Sequence, residues 1–255
     1  IYNKQYFWVL NTPKHHRTIT PKHQRKMPEP TWKRWLSYIA EIHLESASSE
    51  HNPHMYVSLR NGRYQLSTAH AVYSYGDLYT NFDRAFKKMN LDRLPGKEVL
   101  ILGFGLGSIP IILEQKYNRH YHYTAIEIDE VVLDLSNRYT LEDLEANIEL
   151  ICADAHAFVM QTEEKYDLIC MDIFLDDEVP ETFESPAFLE ALRDLLSPGG
   201  VLLYNRLAAK SKDVERTRAF FDLQFLPVFP QGAWLDVGGN WILINHTDIL
   251  TQRAH

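Results

Sequence analysis

Lys97-Glu98-Val99-Leu100-Ile101-Leu102-Gly103-Phe104-Gly105-Leu106-Gly107-Ser108 passes from an apolar strand through a glycine-rich turn into the start of a helix. Glycines let a backbone approach a ligand closely, and the first free amides of the helix sit at the positive end of its dipole. Apolar runs recur downstream at Ala125 to Ile128, Ile148 to Ala153, Leu168 to Met171 and Val201 to Tyr204. Helical stretches, Val131 to Arg138 and Pro186 to Leu196, separate some of them. Strands that are apolar on both faces belong to a parallel sheet covered by helices on each side. The expected fold is therefore α/β, a Rossmann-like and mostly parallel sheet. A closing pair at Phe225 to Phe229 and Trp241 to Asn245, with no helix between, predicts an antiparallel last strand.

Upstream the pattern differs. Met55 to Leu59, Asn61-Gly62 and Arg63 to Ser67 read as a hairpin, because Asn-Gly supplies the two positive φ angles of a type I′ turn. This places a small antiparallel β domain at 37–77, followed by the Rossmann-like domain at 78–255, whose first helix is expected over Leu78 to Met89. Residues 1–36 form a basic N-terminal arm with eight Lys/Arg against Glu29, a net of +7 that leaves −15 for the remaining 219 residues. Such an arm can engage nucleic acid or lipid, but this one is interrupted by prolines, with little aromatic interleaving. It is expected to lie on its own or a neighbouring acidic subunit, and nucleic acid is set aside as a partner.

Length and composition agree with this division. At one domain per about 150 residues, 255 residues suit one full domain and a smaller one. The composition, 45% hydrophobic with 12% aromatic residues, supports a packed core and excludes a disordered chain. The longest apolar stretch, Val99 to Leu113, is broken by three glycines and Pro110 and falls short of the about 18 residues a membrane span needs, so no membrane partner is expected. Cys152 and Cys170 lie in strand-like runs, which favours free thiols and a cytoplasmic location. No Cys/His zinc spacing occurs, and no metal is expected.

Three strand ends carry acids or glycines in an order that suits a nucleoside. Gly103, Gly105 and Gly107 form the loop; Glu127, 24 residues after Gly103 and followed by Ile128, is placed for the ribose hydroxyls; Asp154, followed by Ala155, is placed for the adenine amine or for capping a helix. Asp172 closes the fourth strand, where its carboxylate can attract a cationic amine and accept its proton. Asp176, Asp177, Glu178, Glu181 and Glu184 follow, and most of Asp177 to Glu184 reads as a solvated acidic loop. His156 reads as a pocket-wall or surface residue.

Residues 97–207 resemble spermidine synthases and, more broadly, class I S-adenosylmethionine-dependent methyltransferases. The matching pieces are the glycine loop, Ile126-Glu-Ile-Asp-Glu130, Ala153-Asp-Ala, Asp167 to Asp172 and the Ser197-Pro-Gly-Gly turn. The resemblance implies S-adenosylmethionine or its decarboxylated form as cofactor, a small cationic amine as acceptor, and a homodimer. It implies that Gln65 and Tyr75 from the small β domain assist, Tyr75 beside Asp172 in catalysis and Gln65 at the cofactor; His70 is a further candidate. Two departures stand out. Spermidine synthases usually carry an acid in the glycine loop that holds the ammonium of the decarboxylated donor, where this chain has Leu106; and their Asp-Ser-Ser-Asp-like stretch becomes Asp172-Ile-Phe-Leu-Asp176. An acid there would repel the carboxylate of intact S-adenosylmethionine, so Leu106 favours methyl transfer to a small amine, with aminopropyl transfer and a non-catalytic nucleoside-binding module as alternatives. A nicotinamide dehydrogenase shares the loop and Glu127 but leaves Asp154 and Asp172 without a role.

Overall fold

Apolar side chains along the central strands are buried throughout and alternate between two apolar clusters. In the computed structural model, which describes residues 17–19, 30–68, 72–174 and 179–251, Val99 and Ile101 point into one apolar cluster, and Leu100 and Leu102 into a second. The same split recurs at Leu168 and Cys170 against Ile169 and Met171. Both sheet faces are thus covered, as expected for a parallel core.

The main sheet holds β1 (Arg17–Ile19), β6 (Glu98–Leu102), β7 (His122–Glu127), β8 (Asn147–Cys152), β9 (Tyr166–Met171), β10 (Leu196–Leu207), β11 (Ala233–Asp236) and β12 (Asn240–Ile244). Their order is β1-β8-β7-β6-β9-β10-β12-β11. Strands β6 to β10 pair in parallel, β12 is antiparallel to both neighbours, and β1 adds an antiparallel edge against β8. The chain moves outward from β6 through β7 to β8, then returns to the other side of β6 as β9. That reversal opens a crevice at the carboxyl ends of β6 and β9, where open α/β sheets bind ligands.

Four strands, β2 (Ile42–Ala47), β3 (Met55–Arg60), β4 (Arg63–Thr68) and β5 (Val72–Ser74), make the small antiparallel sheet. Its hairpin turns at Asn61 and Gly62, with φ of 49° and 72°, as the type I′ reading requires. Val57, Leu59 and Leu66 share one apolar cluster with Leu106 of the glycine loop and with Val132 and Leu135 of helix α4 (Glu130–Tyr139). The small sheet is therefore packed directly on the element that forms the crevice.

Two expectations change. The strand expected at Phe225 to Phe229 is helical over Phe221–Phe225 and Leu226–Val228, and the strand that pairs with β12 is Ala233–Asp236. Phe221, Phe225 and Phe229 recur every four residues and stack into the core, with Phe221–Phe225 and Phe225–Phe229 ring centroids 5.8 and 4.8 Å apart. That is helical spacing, which a short apolar run conceals. The basic arm also contributes β1 and a short helix, Thr31–Leu36, that its prolines did not suggest. The rest of the arm, His70, and Asp176 to Glu178 lie outside the described residues. Among the described residues no helix is long and apolar enough to cross a membrane.

Candidate active site

A cavity of about 480 Å³ occupies the crevice, between the carboxyl ends of the central strands and the small sheet. Its first half hangs from β6, β7 and β8. Gly103 has φ of +88°, and a Cβ there would lie 2.4 Å from the Asp172 carbonyl oxygen, so only glycine lets the loop pass under the end of β9. The Gly105 amide donates to Glu127 Oε2 and the Asp129 amide to Oε1, each at 3.2 Å. Burial raises the Glu127 pKa, and those amide hydrogen bonds oppose the rise. The result is an oriented carboxylate on the cavity wall beside Ile128, which is 44% exposed.

Asp154 also lines the cavity, and its Oδ1 accepts from the Ala157 amide at 2.7 Å. It therefore caps helix α5 (Ala155–Val159) while facing the crevice. Buried Ala155 forms adjoining wall. Gly107 stands at the N-cap of helix α3 (Ser108–Gln115) in the left-handed region, shaping the turn from behind the wall.

The second half gathers around Asp172. Its Oδ1 accepts from Asn205 Nδ2 at 2.8 Å and from the Tyr79 hydroxyl at 3.2 Å. Asn240 Nδ2 in turn donates to Asn205 Oδ1 at 3.0 Å. Burial pushes the Asp172 pKa up to about 6, against the lowering effect of its two hydrogen bonds. Burial and the nearby Asp172 hold the Tyr79 hydroxyl's pKa well above the ordinary tyrosine range, so Tyr79 stays a donor. Phe174, Thr182 and Phe183 complete this side.

Several residues singled out in the sequence lie elsewhere. The Tyr75 hydroxyl accepts from Asn61 Nδ2 at 2.8 Å, outside the cavity wall, because the chain turns into a 3-10 helix at Gly76–Leu78 before Tyr79 reaches the crevice. Gln65 is 3% exposed and donates to Ser67 Oγ at 2.8 Å inside the small sheet, also off the wall. Leu106 is fully buried in the small-sheet cluster and sets no charge in the cavity. Glu184 is not a freely solvated loop acid: its Oε1 lies 2.5 Å from Nη1 of Arg206, which is 3% exposed. His156 stacks on Phe188 with ring centroids 5.4 Å apart.

Tyr79, Asn205 and Asn240 escape a strand-end search for acids. Asn205 nonetheless carries a signal of the kind that marks Asp172, a polar residue directly closing an apolar run, Val201 to Tyr204. Tyr79 carries none, since tyrosine before a helix is ordinary.

The glycine loop, an acid after the second strand and an acid closing the fourth stand at the carboxyl edge of a Rossmann-like α/β sheet. The spermine/spermidine synthase domain matches residues 85–217, and the chain belongs to that family. It is 33% identical over 161 residues to a polyamine aminopropyltransferase of Vibrio vulnificus, covering 62% of this chain and 53% of that protein. It is 35% identical over 106 residues to a probable polyamine aminopropyl transferase of Bifidobacterium longum, covering 42% of this chain and 23% of the other. The chain thus spans about half or less of these curated relatives. A probable spermidine synthase of Corynebacterium glutamicum superposes with a TM-score of 0.61 at 18% identity, over 79% of this chain and 78% of that one, a likeness of fold. These findings do not support the methyl-transfer expectation drawn from Leu106 and fit its aminopropyl alternative better.

Proposed function

We propose that this chain transfers an aminopropyl group from decarboxylated S-adenosylmethionine to a small amine. The observation that carries this reading is the charge of the cavity. Glu127, Asp154 and Asp172 line it, and among the described residues no Lys or Arg does. Such a wall favours cationic reactants and disfavours a donor bearing a carboxylate.

In this reading Glu127 holds the ribose hydroxyls, Asp154 and Ala155 the adenine, and Gly103 and Gly105 give the donor close approach to the backbone. The acceptor's amine sits at Asp172. The acceptor arrives as an ammonium and gives one proton to Asp172, which frees the nitrogen lone pair. That lone pair forms an N–C bond to the propyl carbon while the C–S bond breaks, the bonding pair returns to sulfur as a neutral thioether, and the product leaves as a secondary ammonium. A sulfonium donor is already activated, so alignment and exclusion of water are the remaining tasks.

Calorimetric titration with decarboxylated S-adenosylmethionine, intact S-adenosylmethionine and S-adenosylhomocysteine tests the donor. Incubation with putrescine, read as release of methylthioadenosine, tests the chemistry. The expected result is tighter binding of the decarboxylated donor and thioether release that depends on the amine. Tighter binding of the intact donor together with a methylated amine would return the chain to methyl transfer.

A further inference from the structure

We propose that Asn240 and Asn205 form a two-amide relay that positions the catalytic carboxylate of Asp172, a role for both residues that rests on reading Asp172 as the acceptor's proton acceptor. Asn205 lies on β10 with no exposed surface, and Asn240 opens β12 at the cavity wall, two positions from it in the β10–β12 register. The relay runs in one direction. Asn240 Nδ2 donates to Asn205 Oδ1, which commits the Asn205 amide group, Nδ2, to face Asp172 Oδ1. A flipped Asn205 would set its oxygen against the carboxylate and its NH₂ against that of Asn240, so both contacts favour the same face of the amide, and loss of the Asn240 contact loosens the hold on it.

The consequence falls on Asp172. Its Oδ1 is occupied by two donors, Asn205 and the Tyr79 hydroxyl, leaving Oδ2 as the oxygen without a partner among the described residues. A carboxylate held by neutral donors keeps its geometry without being neutralised. A Lys or Arg at position 205 would hold it equally well but would depress its basicity. Among the described residues, the titratable groups in contact with Asp172 or lining its cavity are Tyr79 at Oδ1, Cys170 two residues before it on β9, and Glu127, Asp154, His51 and Tyr73. Both asparagines act through Asp172 and are positioning residues.

The test is the carboxyl ¹³C titration of Asp172 in aspartate-labelled protein, assigned by its loss in Asp172→Asn. The wild-type midpoint is expected near 6. Asn240→Ala frees Asn205 to turn, and Asn240→Asp forces it to turn, because an ionised carboxylate only accepts. Both are expected to raise the midpoint by about half a pH unit or more, Asn240→Asp the further of the two. An unchanged midpoint in Asn240→Ala, with movement only in Asn240→Asp, would reduce the effect to added charge and overturn the relay. Asn240 is at the cavity wall, so these variants retain the fold even where Asn205→Ala does not. In parallel, the acidic limb of kcat with decarboxylated S-adenosylmethionine and putrescine should move by the same amount while donor KM stays within about twofold. If the wild type forms no product, the aminopropyl reading fails, and the carboxyl titration still decides the relay.

Discussion

The two halves of the cavity are built in different ways. Gly103, Gly105, Glu127, Ile128, Asp154 and Ala155 sit at or just past the ends of three successive strands, each within a few residues of an apolar run. The opposite half draws Tyr79 from a loop before helix α2 (Thr80–Lys87), Asp172 from the end of β9, Asn205 from β10 and Asn240 from β12. One half is local in sequence and repeats one device. The other is a convergence of distant segments on one carboxylate. This division suits the proposed reaction, in which backbone and strand-end acids recognise the donor and Asp172 handles the acceptor.

Asp172→Asn should separate the halves most sharply. Turnover is expected to fall by about 10²–10⁴-fold, the usual worth of a general base, with donor affinity by calorimetry within about twofold of wild type. The same substitution has a signed effect on stability. The folded-state pKa of about 6 lies above the ordinary 3.8, so folding favours the protonated acid. Its stabilising effect is complete below about pH 4 and is lost as pH rises through about 6. Asp172→Asn removes a charge that is costly to hold at neutral pH. It should therefore be more stable than wild type by on the order of 2–3 kcal/mol at pH 7.5 in urea melts, the gap closing toward pH 4. A variant that loses both turnover and stability at pH 7.5 would make Asp172 a structural residue and dissolve the contrast.

Leu106→Asp tests whether the glycine loop discriminates between donors. Because Leu106 is buried among Val57, Leu66 and Val132, a carboxylate there has no water and no partner, and a loss of about 3–5 kcal/mol of unfolding free energy in urea denaturation is expected. Preference between decarboxylated and intact S-adenosylmethionine should not change in whatever fraction folds. A stable variant with improved binding of the decarboxylated donor would restore the loop as the selector. Glu127→Gln should act on the other half: donor Kd is expected to rise by about tenfold with kcat nearly preserved, since charge-assisted hydrogen bonds exceed neutral ones by roughly 1 kcal/mol or more.

What was legible in the chain follows the same boundary. The unbroken apolar runs Val99 to Leu102 and Leu168 to Met171, buried on both faces, make the parallel sheet readable, and Asn61-Gly62 makes the hairpin readable. Strand-end acids are readable because a carboxylate beside an apolar run is conspicuous. The helix within Phe225 to Phe229 is hidden because four apolar residues and a proline carry no period of their own, and the Phe221 contact that settles it lies outside that window. Gln65, Tyr75 and Leu106 lie off the cavity wall for a different reason. Whether a side chain on a strand or tight turn faces a cavity or a core depends on register and packing, and a motif position carries neither.

The tyrosines put that limit to a quantitative test and mark the smallest effect. Tyr75 and Tyr79 are four residues apart, and both stand beside the 3-10 turn at Gly76–Leu78. The Tyr79 hydroxyl donates to Asp172, whereas the Tyr75 hydroxyl receives a bond from the Asn61 side chain. Tyr79→Phe removes a donor to a buried carboxylate, which is worth about 1.5 kcal/mol or more, and should lower kcat by roughly tenfold while raising the acidic limb of the pH profile. Tyr75→Phe removes a neutral bond near the surface, and activity should stay within about twofold. Equal losses in the two variants would mean that the small sheet reaches further into the acceptor half than its contacts show. A large loss confined to Tyr75→Phe would mean that the loop carrying both tyrosines changes its seat when the acceptor binds.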